Sequence, residues 1–345
     1  MNQLTITAPD DWHLHFRDGA LLNETVPATA RCFKRAIVMP NLVPPVTNKA
    51  QALEYRQRIL DATPKGKDFN PLMTLYLTNQ TTAQDIRDAI SAEIPAAKLY
   101  PAGATTNSSA AVSGIEALYP VFEAMSEVGM LLLIHGEVTQ SHIDIFDREK
   151  EFIDQHLSPI QRRFPDLKIV FEHITTADAA DFVLESSDNI GATITPQHLL
   201  LNRNDLLVGG IKPHNYCLPV LKRNIHQQRL QEVVASGEKR FFLGTDSAPH
   251  AKHAKENACG CAGCYSAWGA LELYAQVFEE LGALDKLEGF ASHYGPDFYG
   301  LERNTDTVTL VRENWTMPSV ITLSDGESIV PFYSDQELTW KLKQS

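Results

Sequence analysis

Eight short apolar runs, each of strand length, recur along the chain and alternate with segments of helical period. They lie at 11–16, 35–40, 72–77, 96–100, 130–135, 168–173, 191–195 and 240–246. Several, such as Met130-Leu131-Leu132-Leu133-Ile134, are apolar without alternation, as parallel strands covered on both faces must be. Helical patterns fill the gaps at 48–61, 82–92, 113–127, 147–164, 176–186, 221–236 and 267–280. Thr82-Ala83-Gln84-Asp85 has the capping hydroxyl and acidic first turn of a helix start. Eight alternations predict an α/β protein, a closed (β/α)8 TIM barrel over about 5–285. An open doubly wound sheet is the competing architecture, but no Gly-rich phosphate fingerprint follows the first strand. Beyond about 285 the alternation lapses. Val308-Thr309-Leu310-Val311 and Ser328-Ile329-Val330-Pro331-Phe332 read as a small C-terminal appendage over about 286–345. With no internal repeat and no linker, residues 1–345 read as one barrel domain.

Composition narrows the function classes. The 345 residues are 43% hydrophobic and 21% charged, enough for a sizeable core. Thirty Lys and Arg stand against 43 Asp and Glu, a net charge of −13. That balance argues against a nucleic-acid partner, which needs a basic face, but not against a small anionic substrate. Met1-Asn2-Gln3-Leu4-Thr5-Ile6 runs into polar residues without a basic-then-apolar leader. No apolar run approaches the roughly 18 residues of a membrane helix. Five cysteines in such a chain point to a reducing compartment. The expectation is a cytoplasmic enzyme with no membrane partner.

In a (β/α)8 barrel, catalytic groups gather where the strands end. Read in order, those ends carry His13 and His15, Asn41, Lys98, His135, His173, His198, and Asp246 with His250. In Asp10-Asp11-Trp12-His13-Leu14-His15-Phe16-Arg17, residues two apart on an extended strand face the same way. His13 and His15 therefore converge, and paired imidazoles suit a borderline metal such as zinc. Taken alone, the pair is equally two ordinary strand histidines. Its recurrence with four further candidate ligands at one topological position favours a metal site. Lys98 follows Ala96-Ala97 within a strand, where lysine is rarely buried unless paired.

These stretches resemble a known family. His13-x-His15, a strand-end lysine, two later single histidines and a terminal aspartate are similar to the binuclear metal pattern of the amidohydrolase superfamily. More narrowly, the chain resembles the short, monofunctional bacterial dihydroorotases. The resemblance rests on Asp11-Trp12-His13-Leu14-His15-Phe16-Arg17-Asp18, Met39-Pro40-Asn41 and Ala97-Lys98-Leu99-Tyr100-Pro101-Ala102-Gly103-Ala104-Thr105-Thr106-Asn107. His135-Gly136-Glu137, Phe171-Glu172-His173-Ile174-Thr175, Thr195-Pro196-Gln197-His198 and Gly244-Thr245-Asp246-Ser247-Ala248-Pro249-His250 extend it over nearly the whole chain.

The resemblance implies a zinc-dependent cyclic amide hydrolase interconverting N-carbamoyl-L-aspartate and L-dihydroorotate in pyrimidine biosynthesis. It implies that Lys98 is carboxylated by carbon dioxide, since a free ammonium cannot ligate a metal whereas a carbamate can bridge two. One zinc would take His13, His15, carboxylated Lys98 and Asp246; the other would take Lys98, His135 and His173. A bridging hydroxide would attack the ring carbonyl, with Asp246 as the general base and acid.

Dihydroorotate carries a carboxylate, and Arg17, two residues past His15, can grip it bidentately. By the same resemblance Asn41 and His250 are further carboxylate contacts. Thr105 and Thr106 belong to a lid, and Leu218 and Ala262 offer backbone groups to the ring. His198 is left a place beside the ring or behind the metals. A homodimer is also implied. Hydantoinases and dihydropyrimidinases share the metal pattern but handle rings without the carboxylate, and a silent amidohydrolase-like subunit would normally have lost ligands. Cys259-Gly260-Cys261-Ala262-Gly263-Cys264 looks like half a zinc ribbon, but a structural metal needs about four ligands and no second CxxC exists. Its glycines fit a close approach to a ligand better.

Overall fold

The structure, a computed structural model, describes residues 2–105, 108, 110–258 and 260–343. It opens with β1 (Gln3–Thr7), followed by β2 (Asp10–Leu14), β3 (Arg35–Val38), β4 (Asn70–Tyr76) and β5 (Ala96–Leu99). Then come β6 (Leu131–Ile134), β7 (Ile169–Phe171), β8 (Ile190–Ile194) and β9 (Phe241–Leu243). Strands β2 to β9 form one eight-stranded sheet in sequential order, every neighbouring pair parallel. The circuit closes beyond β9. Leu14 bridges Ser247 in parallel, Asp246 N–H donates to His13 O at 2.8 Å, and His15 N–H donates to Ser247 O at 2.9 Å. This is the expected (β/α)8 barrel.

Alternation along each strand separates two cores. Ala97, Leu99, Leu132, Ile134, Ile169 and Phe171 pack outward with the helices. Ile37, Ala96, Leu131, Leu133, Val170 and Phe242 form a second, inward cluster with Trp12, Phe298 and Tyr299. The last two come from the helix Tyr294–Tyr299, whose Tyr299 ring stacks on Trp12 with centroids 4.3 Å apart. The interior is thus apolar at the strand starts. Two residues further along β5, β6 and β7, the inward positions become Lys98, His135 and Glu172, all buried. The period-2 geometry of a strand delivers the polar set to one end of the barrel.

The predicted helices form with shifted ends. Thr82 and Asp85 make a reciprocal capping box for Ala83–Ile90. The stretch expected at 147–164 is Arg148–Phe152 and Ser158–Arg163 joined by a π-helical turn, Ile153–Leu157. Proline at 159 cannot donate to the helix ladder, and the wider turn absorbs the missing bond. A helix not expected from the sequence, Leu22–Ala30, follows β2 and contains Pro27.

The appendage differs from expectation because it is built from both chain ends. β10 (Thr307–Thr316) lies between β1 and β13 (Glu337–Leu342), antiparallel to both. Between them β11 (Ile321–Thr322) and β12 (Ser328–Ile329) pair as a short hairpin. Among the described residues, no helix is long and apolar enough to cross a membrane.

Candidate metal centre

The strand ends converge on one buried cluster. The pairing of β2 with β3 shifts register between Asp11 and Leu14, an irregularity that re-aims the side chains there. His13 and His15 present Nε2 atoms 3.4 Å apart. Asp246 Oδ1 lies 3.1 Å from His15 Nε2 and 3.4 Å from His13 Nε2. The three side chains thus offer ligand atoms within 4.8 Å of one another, all buried. A second group of the same kind, His13, Glu172 and His173, shares His13 with the first. His173 places its ring centroid 4.9 Å from His13 and 4.8 Å from His135. Lys98 is fully buried in β5, where its amine is ion-paired with Glu172 and sits 4.9 Å from the Tyr100 ring centroid. His135 Nε2 is 3.0 Å from Glu137 Oε2. All six expected metal-site residues therefore lie in one buried cluster, with Lys98 and His135 each turned to a glutamate.

The electrostatics of the cluster suit cation binding. Burial pushes His15 down to about 4, and it holds His135 and His173 below their ordinary range. These imidazoles are neutral at pH 7, the form that ligates. Burial opposes charge on His13 as well, yet Glu172 and Asp246 raise it to about 9. Burial also pushes Asp246 and Glu172 upward, but their cationic neighbours outweigh it and hold both below the usual carboxylate range. Lys98 is lowered by burial despite Glu172. His173 Nδ1 is buried with no hydrogen-bond partner among the described residues. Three neutral imidazoles, two ionised carboxylates and an unspent buried nitrogen fit a metal site on the donor chemistry, with the His13 proton the one a metal would displace.

Neighbours hold these groups in place. His15 Nδ1 lies 2.7 Å from Asn41 Oδ1, an oxygen that only accepts. His15, neutral, therefore donates from Nδ1 and leaves the Nε2 lone pair facing Asp246 Oδ1, two acceptors that a metal ion can bridge. Asn41, expected to contact substrate, thus has a part in orienting His15. Asp11 Oδ1 accepts from Thr245 N–H at 2.9 Å and His13 N–H at 3.2 Å, and Oδ2 accepts from the Thr245 hydroxyl at 2.6 Å. It ties the first strand to the turn carrying Asp246. His173 N–H donates to Thr193 Oγ1 at 2.7 Å. Arg17, His173 and Asp246 adopt left-handed backbone, with φ of 63°, 42° and 44°. For residues other than glycine such strain concentrates at functional sites.

Of the residues expected to contact substrate, Arg17 and Asn41 line one cavity and His250 lies beside Arg17. Arg17 Nε donates to Pro249 O at 3.3 Å, while Arg17 Nη2 and Ala262 O both lie 3.0 Å from His250 Nε2. That nitrogen accepts from the guanidinium or donates to the carbonyl, not both. A cavity of about 390 Å³ is lined by Arg17 and Asn41 together with Asp18, Val43 and Arg58. Thr105 N–H donates to Ser108 Oγ at 3.3 Å, in the fourth βα loop. Thr106 and Cys259 lie outside the described residues. Leu218 follows buried Cys217 in the loop after β8, and its loop is tied to His198. His198 Nε2 donates to Pro219 O at 2.9 Å, and its Nδ1 lies 2.7 Å from the Thr195 hydroxyl. His198 thus braces the Leu218 loop from behind. No cysteine belongs to a group of three metal-ligating side chains among the described residues.

Two buried carboxylates around the cluster escaped the sequence reading. Glu172 was visible only as part of a motif, although its inward register with Val170 on β7 is a usable signal. Glu149, which accepts from both Thr175 and Thr176, left no signal beyond being acidic in a helix start.

Comparison with known proteins agrees with this geometry. The profile of the Amidohydrolase family matches residues 8–310. A dihydroorotase of Shewanella sediminis (strain HAW-EB3) is 70% identical over 343 residues, covering 99% of this chain and 100% of its own length. Among solved structures, a Saccharomyces cerevisiae dihydroorotase in complex with 5-fluoroorotic acid superposes with a TM-score of 0.93 at 33% identity, covering 99% of both chains. A Campylobacter jejuni dihydroorotase superposes with a TM-score of 0.91 at 36% identity, covering 99% of this chain and 98% of the other.

Proposed function

Because the chain belongs to the amidohydrolase family and, within it, to the dihydroorotases, we propose that it interconverts N-carbamoyl-L-aspartate and L-dihydroorotate in de novo pyrimidine biosynthesis. The observation that carries the reading is the buried triangle of His13, His15 and Asp246 with Arg17 on its rim beside His250. His13, His15, Lys98 and Asp246 would hold one zinc ion, and Lys98, His135 and His173 the other, with Lys98 as its carbamate. Two bound zinc ions would supply Lewis acidity at the ring carbonyl and bring the pKa of water near neutrality.

The chain's own groups carry the rest. Lys98 sits where its amine is held below the ordinary lysine range by burial, which favours the neutral form that adds carbon dioxide. Asp246 Oδ1 faces both His13 and His15, so its carboxylate can take the proton of the attacking water and deliver it to the departing ring nitrogen. Arg17 binds the substrate carboxylate through its planar fork, with His250 and Asn41 beside it. Backbone groups of Leu218 and Ala262 hold the ring, and Thr105 and Thr106 cover it. A cytoplasmic homodimer completes the reading, and sedimentation velocity checks the dimer.

The test is ultraviolet-monitored ring opening of L-dihydroorotate by the purified protein, before and after prolonged chelation, with zinc and bicarbonate added back. Loss on chelation with recovery on zinc supports a metal-dependent dihydroorotase. No turnover by metal-replete protein overturns it.

A further inference from the structure

Arg17 has an unusual setting. Its backbone is left-handed, φ 63°, a conformation that a long side chain adopts only when something holds it there. It stands two residues past His15, so a change at this peptide swings the guanidinium relative to the metal ligands. Two of its nitrogens have neighbours in Pro249 and His250. The third, Nη1, is buried with no hydrogen-bond partner among the described residues. Such a donor is available to a ligand that reaches it.

What holds the backbone comes from a different part of the chain. The helix Lys49–Ala62 follows β3 and packs against the barrel through Ala52, Tyr55 and Ile59. Tyr55 is 0% exposed, and its hydroxyl donates to the Arg17 carbonyl oxygen at 2.5 Å. One turn later, Arg58 makes a fork to Asp18, with Nε to Oδ1 at 3.0 Å and Nη2 to Oδ2 at 2.9 Å. Residues three apart on one helix face thus grip two consecutive loop residues, 17 and 18. Burial holds the phenol far above its ordinary range, so it remains a donor throughout the working pH.

We infer that Tyr55 is a positioning residue for Arg17: its buried hydroxyl locks the left-handed Arg17 peptide and thereby aims the guanidinium at a substrate carboxylate. Tyr55 does not itself line the cavity; it meets the lining through the Arg17 carbonyl and through Arg58, whose guanidinium lies 5.2 Å from its ring centroid, and only the hydroxyl contact reaches Arg17. The inference rests on the proposed carboxylate-bearing substrate.

The experiment is Tyr55→Phe in the full-length, zinc-loaded protein. The variant loses one oxygen and keeps the buried ring. The expected result is a rise of about five- to tenfold in KM for L-dihydroorotate, the size of one hydrogen bond. The inhibition constant of dihydrouracil, which has the ring without the carboxylate, stays at the wild-type value, as does bound zinc. Combined with Arg17→Lys, the hydroxyl's removal adds nothing further, because the two changes act on one interaction. Parallel rises in the two constants, additivity with Arg17→Lys, or an unchanged KM each overturn the inference. A crystal structure of Tyr55→Phe reads the same geometry without substrate. Arg17 displaced from His250 supports the inference, and Arg17 unmoved overturns it. Absence of turnover in the wild-type protein instead removes the proposed reaction, and the crystal structure still decides the role of Tyr55.

Discussion

Removing the Glu149 carboxylate will destabilise the protein by about 4 kcal/mol and loosen the end of β7. Glu149 is 1% exposed and sits at the start of the Arg148–Phe152 helix. Its two oxygens accept from Thr175 N–H at 3.0 Å, the Thr175 hydroxyl at 2.9 Å, Thr176 N–H at 2.8 Å and the Thr176 hydroxyl at 2.5 Å. In Glu149→Ala the hydroxyls can rotate to other acceptors, but the two backbone N–H groups cannot. Each stranded buried donor costs about 1–3 kcal/mol, so the pair costs about 2–6. Lys222, 4% exposed, loses the charge opposite it and, among the described residues, keeps the Val220 O acceptor at 3.1 Å. Relief of the carboxylate's own desolvation, which raises its pKa, offsets part of this. Glu149→Gln retains one acceptor oxygen and loses about 2 kcal/mol. Thr175 lies two residues beyond His173, whose φ of 42° depends on a fixed chain exit. Bound zinc therefore falls in Glu149→Ala before the fold is lost. Urea unfolding followed by circular dichroism gives the stability, and mass spectrometry of metals gives the occupancy. A loss below about 1 kcal/mol with full occupancy would falsify this account of Glu149, because an ordinary surface change lies in that range.

Two further predictions concern the ends of β6 and β8. Gly136 stands between His135 and Glu137, and a Cβ there would meet Phe171 Cε2 at 2.1 Å and Cζ at 2.9 Å. Gly136→Ala should cost at least about 1–3 kcal/mol by overpacking and lower zinc occupancy together with the melting midpoint; an unchanged midpoint would show that β7 can yield. Burial holds His198 at about 4, against the unfolded value near 6.5. Below that unfolded value the denatured chain gains a proton that the native state refuses. The His198 contribution is therefore complete above about pH 6.5 and falls by about 3 kcal/mol as the pH drops to 4. The difference in urea midpoint between wild type and His198→Gln, which cannot take up the proton, should narrow over that window, and a constant difference would refute it.

How legible all this was in the sequence follows from which physical signals are local. The barrel was readable because strands buried on both faces cannot alternate, so Leu131-Leu132-Leu133-Ile134 announces itself without any partner in view. The Leu22–Ala30 helix was not, since Pro27 and three threonine or valine residues depress its propensity. Packing of Leu22, Val26 and Ala30 against the barrel overrides that preference, and packing is not a local property. The pairing of β1 with β10 joins residues about 300 apart, beyond any periodicity. The site divides in the same way. His13 and His15 could be placed on one face from their spacing alone, and Lys98, His135 and His173 from their positions at strand ends. The residues that hold them escaped because their partners lie elsewhere in the chain: Asp11 meets Thr245, Tyr55 meets Arg17, and Glu149 meets Thr175. Glu172 shows where more could have been read. Counting by two along Val170-Phe171-Glu172 puts a charged residue inside the barrel, on the same inward face as Lys98 of β5. A buried charge needs a partner, so that register by itself predicts the ion pair that the fold contains.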